Sequence, residues 1–321
     1  MATRLKQLLT DGELIVAPGV FEMFSARIAD RMGFNALYMT GYGISASYLG
    51  QPDAGLVTYT DMTSRARTIA EGTSTPLIAD ADTGFGGLIN VRQTVRGYEA
   101  AGVQAIQIED QEMPKKCGHT PNRRVIPIED MVQKIEVALA ARRNDDTLII
   151  ARTDSRTALG LDEAIRRGQA YARAGADVVF VEALETEEEF RRVGEAIGRG
   201  SSGGVRGSGG ASGSGGGGES AKRSSSNSGD GRAWLLANMV PSGKSPVVPK
   251  ERLREFGFNI IIYPSVGMNA ACAALRNAYA YLQEHGSTDG SPVPSISMQE
   301  MHELVGFEDV WEFERKYARA S

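Results

Sequence analysis

The chain has 321 residues, 41% of them hydrophobic, which is enough apolar material for one large core or two ordinary domains. Its formal net charge of −5 excludes a basic field for nucleic acid or anionic lipid, so we expect no nucleic-acid and no membrane partner. Its two cysteines are too few for a disulfide framework, and the sequence contains neither a signal-peptide pattern nor a long apolar run. We therefore predict a cytoplasmic protein, with an organelle matrix as the alternative.

Eight short aliphatic runs alternate with segments in which apolar residues recur every three or four positions. This alternation is typical of parallel strands that are buried on both faces. Eight repeats favour a closed (β/α)8 TIM barrel over an open doubly wound sheet, which remains the alternative. The runs are Leu14–Ala17, Ala36–Thr40, Pro76–Asp80, Ala105–Glu109, Leu148–Arg152, Val178–Glu182, Trp234–Asn238 and Ile260–Tyr263, and helical patterns cover Phe21–Met32, Asn90–Ala101 and Leu161–Ala174.

One segment interrupts this pattern between the sixth helix and the seventh run. Of the 20 residues from Ser201 to Ser220, 16 are Gly or Ser, a composition that cannot offset the entropy of ordering. We predict that the barrel occupies residues 1–284 and that a disordered insertion interrupts it at 199–232. Residues 285–321 are predicted to be a linker and a helical tail, with an amphipathic stretch over Ser297–Ala318. Cys272, in an alanine-rich helix, is predicted to be a small buried residue.

Acidic residues gather where the runs end. Asp80 and Asp82 are two positions apart, so they point the same way, and Glu109 ends the next run. Asp53, after the second run, supplies a fourth carboxylate. Carboxylates that converge repel one another unless a cation neutralises them, and an all-oxygen set suits Mg²⁺, or Mn²⁺. The alternative is that Asp80 and Asp82 only form a solvated turn or cap a helix.

The loop after the fourth run has the setting of a reactive thiol. Cys117 follows two lysines and precedes Gly118 and His119, and neighbouring positive charge lowers the pKa of a thiol. Cys117 is therefore a candidate proton donor or nucleophile, and Gly118 gives the loop room to close.

Three further run ends carry polar groups. Arg152 offers a fork that matches a carboxylate or an oxyanion, Glu182 could orient it, and Asn238 could hydrogen-bond a second carboxylate. For each residue alone, a structural ion pair or turn contact is an equal alternative.

Together these motifs resemble the isocitrate lyase and phosphoenolpyruvate mutase superfamily. The matching runs are Asp80–Gly86, Ile108–Gln111, Lys115–His119, Ala151–Asp154, Val181–Ala183 and Ala237–Val240. The Lys-Lys-Cys-Gly-His loop indicates the lyase branch, which includes methylisocitrate lyase and dimethylmalate lyase.

The resemblance implies a role for each matched residue. Asp82 would bind Mg²⁺ most directly, and Asp53, Asp80 and Glu109 would act partly through water. Cys117 would protonate the leaving carbanion with help from His119 and Glu182, while Arg152 would stabilise an oxyanion or carboxylate. Substrate contacts are expected from Thr40, Gly41, Tyr42, Lys116, Gly118, Asn238, Pro264 and Ser265. The family also forms homotetramers by exchanging a C-terminal helix, so we expect the same here.

We therefore expect a magnesium-dependent carbon–carbon lyase that cleaves a 2-hydroxy dicarboxylate or tricarboxylate, such as a dimethylmalate or methylisocitrate, through a metal-bound enolate and releases an oxo acid. The alternatives are an oxaloacetate acetylhydrolase, a carboxyphosphonoenolpyruvate phosphonomutase-like enzyme, or an inactive binding protein. Two departures bear on this choice. Pro241 replaces a glutamate that many lyases carry, and Pro264 aligns with a serine of the hydrolases, although a shift of one position would substitute Ser265.

Overall fold

The computed structural model describes residues 3–118, 120, 122–199, 232–241 and 243–317, and in them eight parallel strands close into a barrel. Each strand pairs with the next in the chain, and β8 pairs back onto β1. The predicted TIM barrel is confirmed, and every predicted run overlaps its strand. The strands are β1 Ile15–Val20, β2 Leu37–Met39, β3 Leu77–Asp80, β4 Ala105–Glu109, β5 Leu148–Thr153, β6 Val178–Val181, β7 Trp234–Asn238 and β8 Ile260–Tyr263.

Helices surround this barrel, and the three predicted helical patterns correspond to α2, α5 and α8. The helices among the described residues are α1 Arg4–Thr10, α2 Met23–Arg31, α3 Gly41–Ile44, α4 Tyr59–Gly72, α5 Leu88–Ala100, α6 Ile128–Ala141, α7 Ser155–Leu159, α8 Leu161–Arg173, α9 Glu187–Ile197, α10 Lys250–Glu255, α11 Val266–His285, α12 Met298–Val305 and α13 Phe307–Tyr317, with a π-helical turn at Ser45–Leu49 after α3.

The strands bury both faces, in two layers. Leu148 and Ile150 of β5 belong to the cluster that fills the barrel, whereas Ile149 belongs to the cluster between barrel and helices. This alternation follows from the two-residue period of a strand. Leu5 and Leu9 of α1 join the inner cluster, so α1 closes the end where the strands begin. The open mouth is therefore at the opposite end, where the strands finish.

The Gly/Ser-rich segment is attached at the closed end of the barrel. The predicted disordered insertion at 199–232 lies, apart from its two end residues, outside the described part of the chain. The residues beside it are held together, because Ala233 N donates to Ile197 O at 3.0 Å and Gly198 forms a parallel bridge to Ala233. This attachment point precedes β7 and is on the face away from the mouth.

The C-terminal tail differs from the predicted single stretch over Ser297–Ala318. Gly306 takes a left-handed conformation with φ +86°, which ends α12 before α13 begins. In α12, Leu304 is buried and its carbonyl accepts a hydrogen bond from Arg27 Nη1 of α2 at 2.9 Å. The prediction that Cys272 is buried is wrong, because α11 buries none of its residues in the single chain and Cys272 is exposed.

None of the described helices combines the length and the apolarity needed to span a bilayer.

Candidate active site

A cavity of about 340 Å³ opens at the mouth of the barrel, where the strands end. Its lining takes residues from seven of the eight strand ends and their loops, which is why distant parts of the sequence meet there. Eleven of the predicted site residues line it, namely Thr40, Tyr42, Asp53, Asp80, Cys117, Gly118, Arg152, Glu182, Asn238, Pro264 and Ser265. Tyr38, Thr120, Val240, Pro241, Gly243, Met268 and Asn269 complete the lining.

The predicted acidic residues of β3 and β4 lie side by side beneath this cavity. Glu109 N donates to Asp82 O at 2.9 Å, and Asp82 N donates to Asp80 Oδ1 at 3.0 Å. Asp82 has a φ of +48°, a left-handed conformation that Asp tolerates better than most residues. All three carboxylates are buried. The turn after β3 therefore presents Asp82 to the same point as the end of β4.

Lys115, which was predicted only as a positive neighbour of the Cys117 thiol, is the described cation nearest to this acidic group. Its Nζ lies 2.5 Å from Asp53 Oδ1 and 2.5 Å from Asp82 Oδ1. Burial by itself would lower the pKa of Lys115, but the charges of Asp82 and Asp53 raise it well above its usual value. Lys116, which was predicted to bind substrate, has an exposed side chain and does not line the cavity. The motif contains two adjacent lysines, but the sequence alone did not show which of the two side chains points toward the acidic group.

The carboxylates are only partly neutralised. Burial raises the pKa of Asp82 to about 6, with further increases from Asp80 and Asp53, although Lys115 opposes them. Burial also raises the pKa of Glu109 well above its usual value. Among the described residues, Glu109 Oε1 accepts no hydrogen bond, and Asp82 Oδ1 accepts none of good geometry despite its closeness to Lys115. This cluster therefore favours an added positive charge.

The donor set fits a hard, hydrated cation. Among the described residues, no three acidic, histidine or cysteine side chains are arranged so that they alone could hold a metal ion. The carboxylate oxygens of Asp82 and Glu109 that lack hydrogen bonds would suit an ion that keeps several of its waters, as Mg²⁺ usually does.

Arg152 is the central cation of the cavity and touches three carboxylates. Its Nε and Nη2 donate to Asp154 Oδ2 and Oδ1, both at 2.9 Å. Its Nε lies 3.3 Å from Glu109 Oε2, and its Nη2 lies 3.3 Å from Glu182 Oε2. These carboxylates hold the pKa of Arg152 well above its usual value despite burial, so it is always a cation. Asn238 Nδ2 donates to Glu182 Oε2 at 3.1 Å and so fixes Glu182 from the other side.

The Cys117 loop is packed over the cavity. Cys117 N donates to Asp53 O at 3.1 Å, which ties the thiol-bearing residue to the acidic group. The side chain of Gln111 holds the loop by accepting from Lys116 N at 3.0 Å and donating to Lys116 O at 2.8 Å. A Cβ at Gly118 would lie 2.5 Å from Arg152 Nη2 and 2.8 Å from Glu182 Cδ, so a larger residue would have to displace these two side chains or the loop. His119 lies outside the described residues.

Three of the residues predicted to contact substrate, Thr40, Gly41 and Tyr42, follow the end of β2. Thr40 caps α3 by accepting a hydrogen bond from Gly43 N at 3.2 Å. Gly41 does not line the cavity but packs closely on Asp80, because a Cβ there would lie 2.7 Å from Asp80 Oδ2. Tyr42 lines the cavity and is partly exposed, so it stands at the entrance.

Comparison with known sequences shows which family the chain belongs to. The model of the phosphoenolpyruvate phosphomutase family matches residues 5–202. The chain is 42% identical to 2,3-dimethylmalate lyase of Eubacterium barkeri, over 99% of this chain and 98% of that protein. The chain belongs to the phosphoenolpyruvate mutase and isocitrate lyase superfamily. It is also 39% identical to 2-methylisocitrate lyase of Aeropyrum pernix, over 99% of this chain and 90% of that one.

Solved structures of the superfamily agree with this assignment. An oxaloacetate acetylhydrolase bound to 3,3-difluorooxalacetate matches with a TM-score of 0.84 and 33% identity, covering 100% of this chain and 98% of that one. A phosphonopyruvate hydrolase bound to oxalate and Mg²⁺ matches with a TM-score of 0.80 and 30% identity, covering 98% of both chains. The superfamily assignment predicted from the motifs is therefore confirmed, together with the fold.

The contact at Gly118 gives a testable prediction. Gly118→Ala should lower kcat/KM about 100-fold, because the added methyl group displaces the loop from Arg152 and Glu182. Gly87→Ala is the matched control, since a Cβ at this exposed glycine meets nothing within 4 Å. Steady-state kinetics of both variants check the expectation, and a Gly118→Ala enzyme with kcat/KM within about twofold of wild type would contradict it.

Proposed function

We propose that this chain is a carbon–carbon lyase acting on a 2-hydroxy dicarboxylate or tricarboxylate of the dimethylmalate or methylisocitrate type. The products would be an oxo acid and a smaller carboxylic acid. The observation that supports this most is that Cys117, Arg152 and Glu182 line one cavity beneath a closely packed loop. A positioned acid, a fixed cation and a carboxylate are what such a cleavage needs.

The chemistry depends on where charge develops. The C2 hydroxyl would give its proton to the Glu182 carboxylate in the cavity, and the C2–C3 bond breaks, so that C2 becomes the carbonyl carbon of the oxo acid. The electron pair of the broken bond stays on C3, next to a carboxylate. Arg152, which remains charged, would stabilise the negative oxygen. Cys117 would then donate its proton to C3, and the packed loop would keep water from competing.

We propose that Asp82, with Asp53, Asp80 and Glu109 acting through water, holds Mg²⁺, with Mn²⁺ as a substitute. A bound divalent cation would act as a Lewis acid toward the substrate oxygens and lower the cost of the negative charge. The buried oxygens of Asp82 and Glu109 that lack good hydrogen bonds support this assignment. The phosphonopyruvate hydrolase solved with Mg²⁺ supports the choice of ion.

A second candidate, hydrolysis of oxaloacetate to oxalate and acetate, is favoured by one observation. Ser265 Oγ is buried, accepts and donates no hydrogen bond among the described residues, and belongs to a residue that lines the cavity. Pro264 lines the cavity too, so both residues that could align with the serine of the hydrolases border it. A hydroxyl in this position could bind a hydrated ketone.

A substrate panel tests the two candidates. We expect the purified protein with Mg²⁺ to release an oxo acid from dimethylmalate or methylisocitrate, and we expect excess EDTA to abolish the release. A dehydrogenase-coupled assay measures the oxo acid, and direct oxalate measurement with oxaloacetate as substrate tests the hydrolase. Silence on dimethylmalate, methylisocitrate, citramalate and isocitrate would reject the lyase, and full activity in EDTA would reject the metal.

The two cysteines provide a matched pair of variants. Cys117→Ser should lower kcat by about 1,000-fold or more, because a hydroxyl is a far weaker acid than a thiol, while affinity for Mg²⁺ is retained. Cys272→Ser, on α11 and outside the cavity lining, should leave kcat unchanged. Kinetics and calorimetric titration with Mg²⁺ measure both effects, and a fully active Cys117→Ser enzyme would remove the thiol from the mechanism.

We further propose that residues 285–321 form a linker and tail and that the C-terminal helices are exchanged within a homotetramer. Leu275, Tyr279 and Leu282 of α11 are exposed in the single chain, and a helix with no buried residue is unusual without a partner.

The expected mass of the assembly is four times that of the 34.4-kDa chain. Leu275→Asp should lower this mass in sedimentation, whereas Asn277→Asp, also exposed, should not. A monomeric wild type would reject the exchange.

A further inference from the structure

Arg152 is linked through the buried carboxylate of Asp154 to a second buried residue, Arg123, and neither Asp154 nor Arg123 lines the cavity. Asp154 follows β5, has no exposed surface, and accepts both hydrogen bonds of the Arg152 fork at 2.9 Å. Its Oδ1 also accepts a hydrogen bond from Arg123 Nη1. One carboxylate therefore serves two guanidinium groups, and its own backbone N is fixed by Asp110 Oδ1 at 2.9 Å.

Arg123 belongs to the returning part of the loop that carries Cys117. The loop leaves the barrel after Asp110 and returns beside its own start, where Gln111 bridges Val125 and Glu112 N donates to Arg124 O at 2.9 Å. Arg123 is buried within this return, and its Nη2 donates to Thr157 Oγ1 of α7 at 2.6 Å. The loop is thus anchored to the elements that follow β5 by the same side chain that contacts Asp154.

We propose that Arg123 and Asp154 are positioning residues that couple the Cys117 loop to Arg152. Arg123 holds the Asp154 carboxylate, and Asp154 holds the Arg152 guanidinium, so the loop and the cation adopt their reactive arrangement together. This inference rests on the proposed function, because it concerns the same cavity.

Removal of either positioning residue would free one reacting group. Arg152 has two other carboxylates within reach, Glu109 and Glu182, each at 3.3 Å. Without the bidentate contact to Asp154, the guanidinium is expected to turn toward these neighbours and leave its place beside the substrate. Removal of Arg123 leaves Asp154 attached to Arg152 but frees the returning part of the loop. Both changes displace reacting groups without deleting any of them.

The test compares kcat and KM of Asp154→Asn, Arg123→Met, Arg123→Lys and the Asp154→Asn/Arg123→Met double variant with wild type. We expect Asp154→Asn and Arg123→Met each to lower kcat about 100-fold, with KM within about fivefold, since an error of about 1 Å has that effect. Arg123→Lys, which keeps the charge, should recover part of the loss. The double variant should lose little more than the worse single variant, as residues acting as one unit do.

Asp177→Asn provides the matched control. Asp177 is a buried aspartate that accepts from Arg142 Nη1 at 2.8 Å and from Ile149 N at 2.9 Å, but it lies before β6 at the closed end of the barrel. This change should lower the melting temperature and leave kcat per folded enzyme within about twofold, as expected for a purely structural ion pair.

The outcomes separate this inference from the proposed function. Wild type that is inactive on the whole panel rejects the proposed function. The coupling alone is rejected if wild type is active and if the Asp154→Asn and Arg123→Met variants lose only thermal stability, as the control does. If Asp154→Asn does not fold, the Arg123→Lys and Arg123→Met variants test the coupling. Equal kcat values for these two variants and wild type would overturn it.

Discussion

The arrangement at the barrel mouth depends on the neutralisation of buried negative charge. Carboxylates that follow five successive strands, β2 to β6, meet there, and charged groups of one sign do not stay buried unless opposite charge is held beside them. Lys115 and Arg152 provide that charge, Lys115 between Asp53 and Asp82 and Arg152 among Glu109, Asp154 and Glu182. The raised pKa values of Asp82 and Glu109 indicate that the compensation is incomplete in the protein alone. The proposed divalent cation would supply the missing positive charge.

The need to neutralise these carboxylates also fixes the position of the loop that carries Cys117. Lys115 and Cys117 belong to one loop, and that loop reaches the acidic group twice, through the Lys115 ammonium and through the backbone N–H of Cys117. Gly118 then packs directly on Arg152 and Glu182. The thiol is therefore brought to the cavity by contacts that its neighbours make. A loop held by charges at the cavity is also one that can respond to a charged substrate.

Residues within the strands build the fold, whereas residues at and beyond the carboxyl ends of the strands line the cavity. The aliphatic residues within β1 to β8 and the apolar face of α1 build a closed interior that any member of the superfamily could share. The residues at which this chain departs from its relatives' motifs lie beyond the strand ends, and Pro241, Pro264 and Ser265 all line the cavity. This separation explains why lyases, hydrolases and mutases are found among relatives with the same barrel.

The sequence by itself determined the barrel, because eight aliphatic runs with helical segments between them leave few other ways to bury both faces of each strand. It also determined which strand ends carry polar groups, since Asp80, Glu109, Arg152, Glu182 and Asn238 each close a run. Only the tertiary structure decided which of Lys115 and Lys116 turns inward, that Asp154 is shared by Arg123 and Arg152, and that Cys272 is exposed. These are contacts between segments far apart in sequence or choices between adjacent side chains in a loop. Neither a hydrophobic period nor a motif encodes them, because they depend on how the closed barrel brings its loops together.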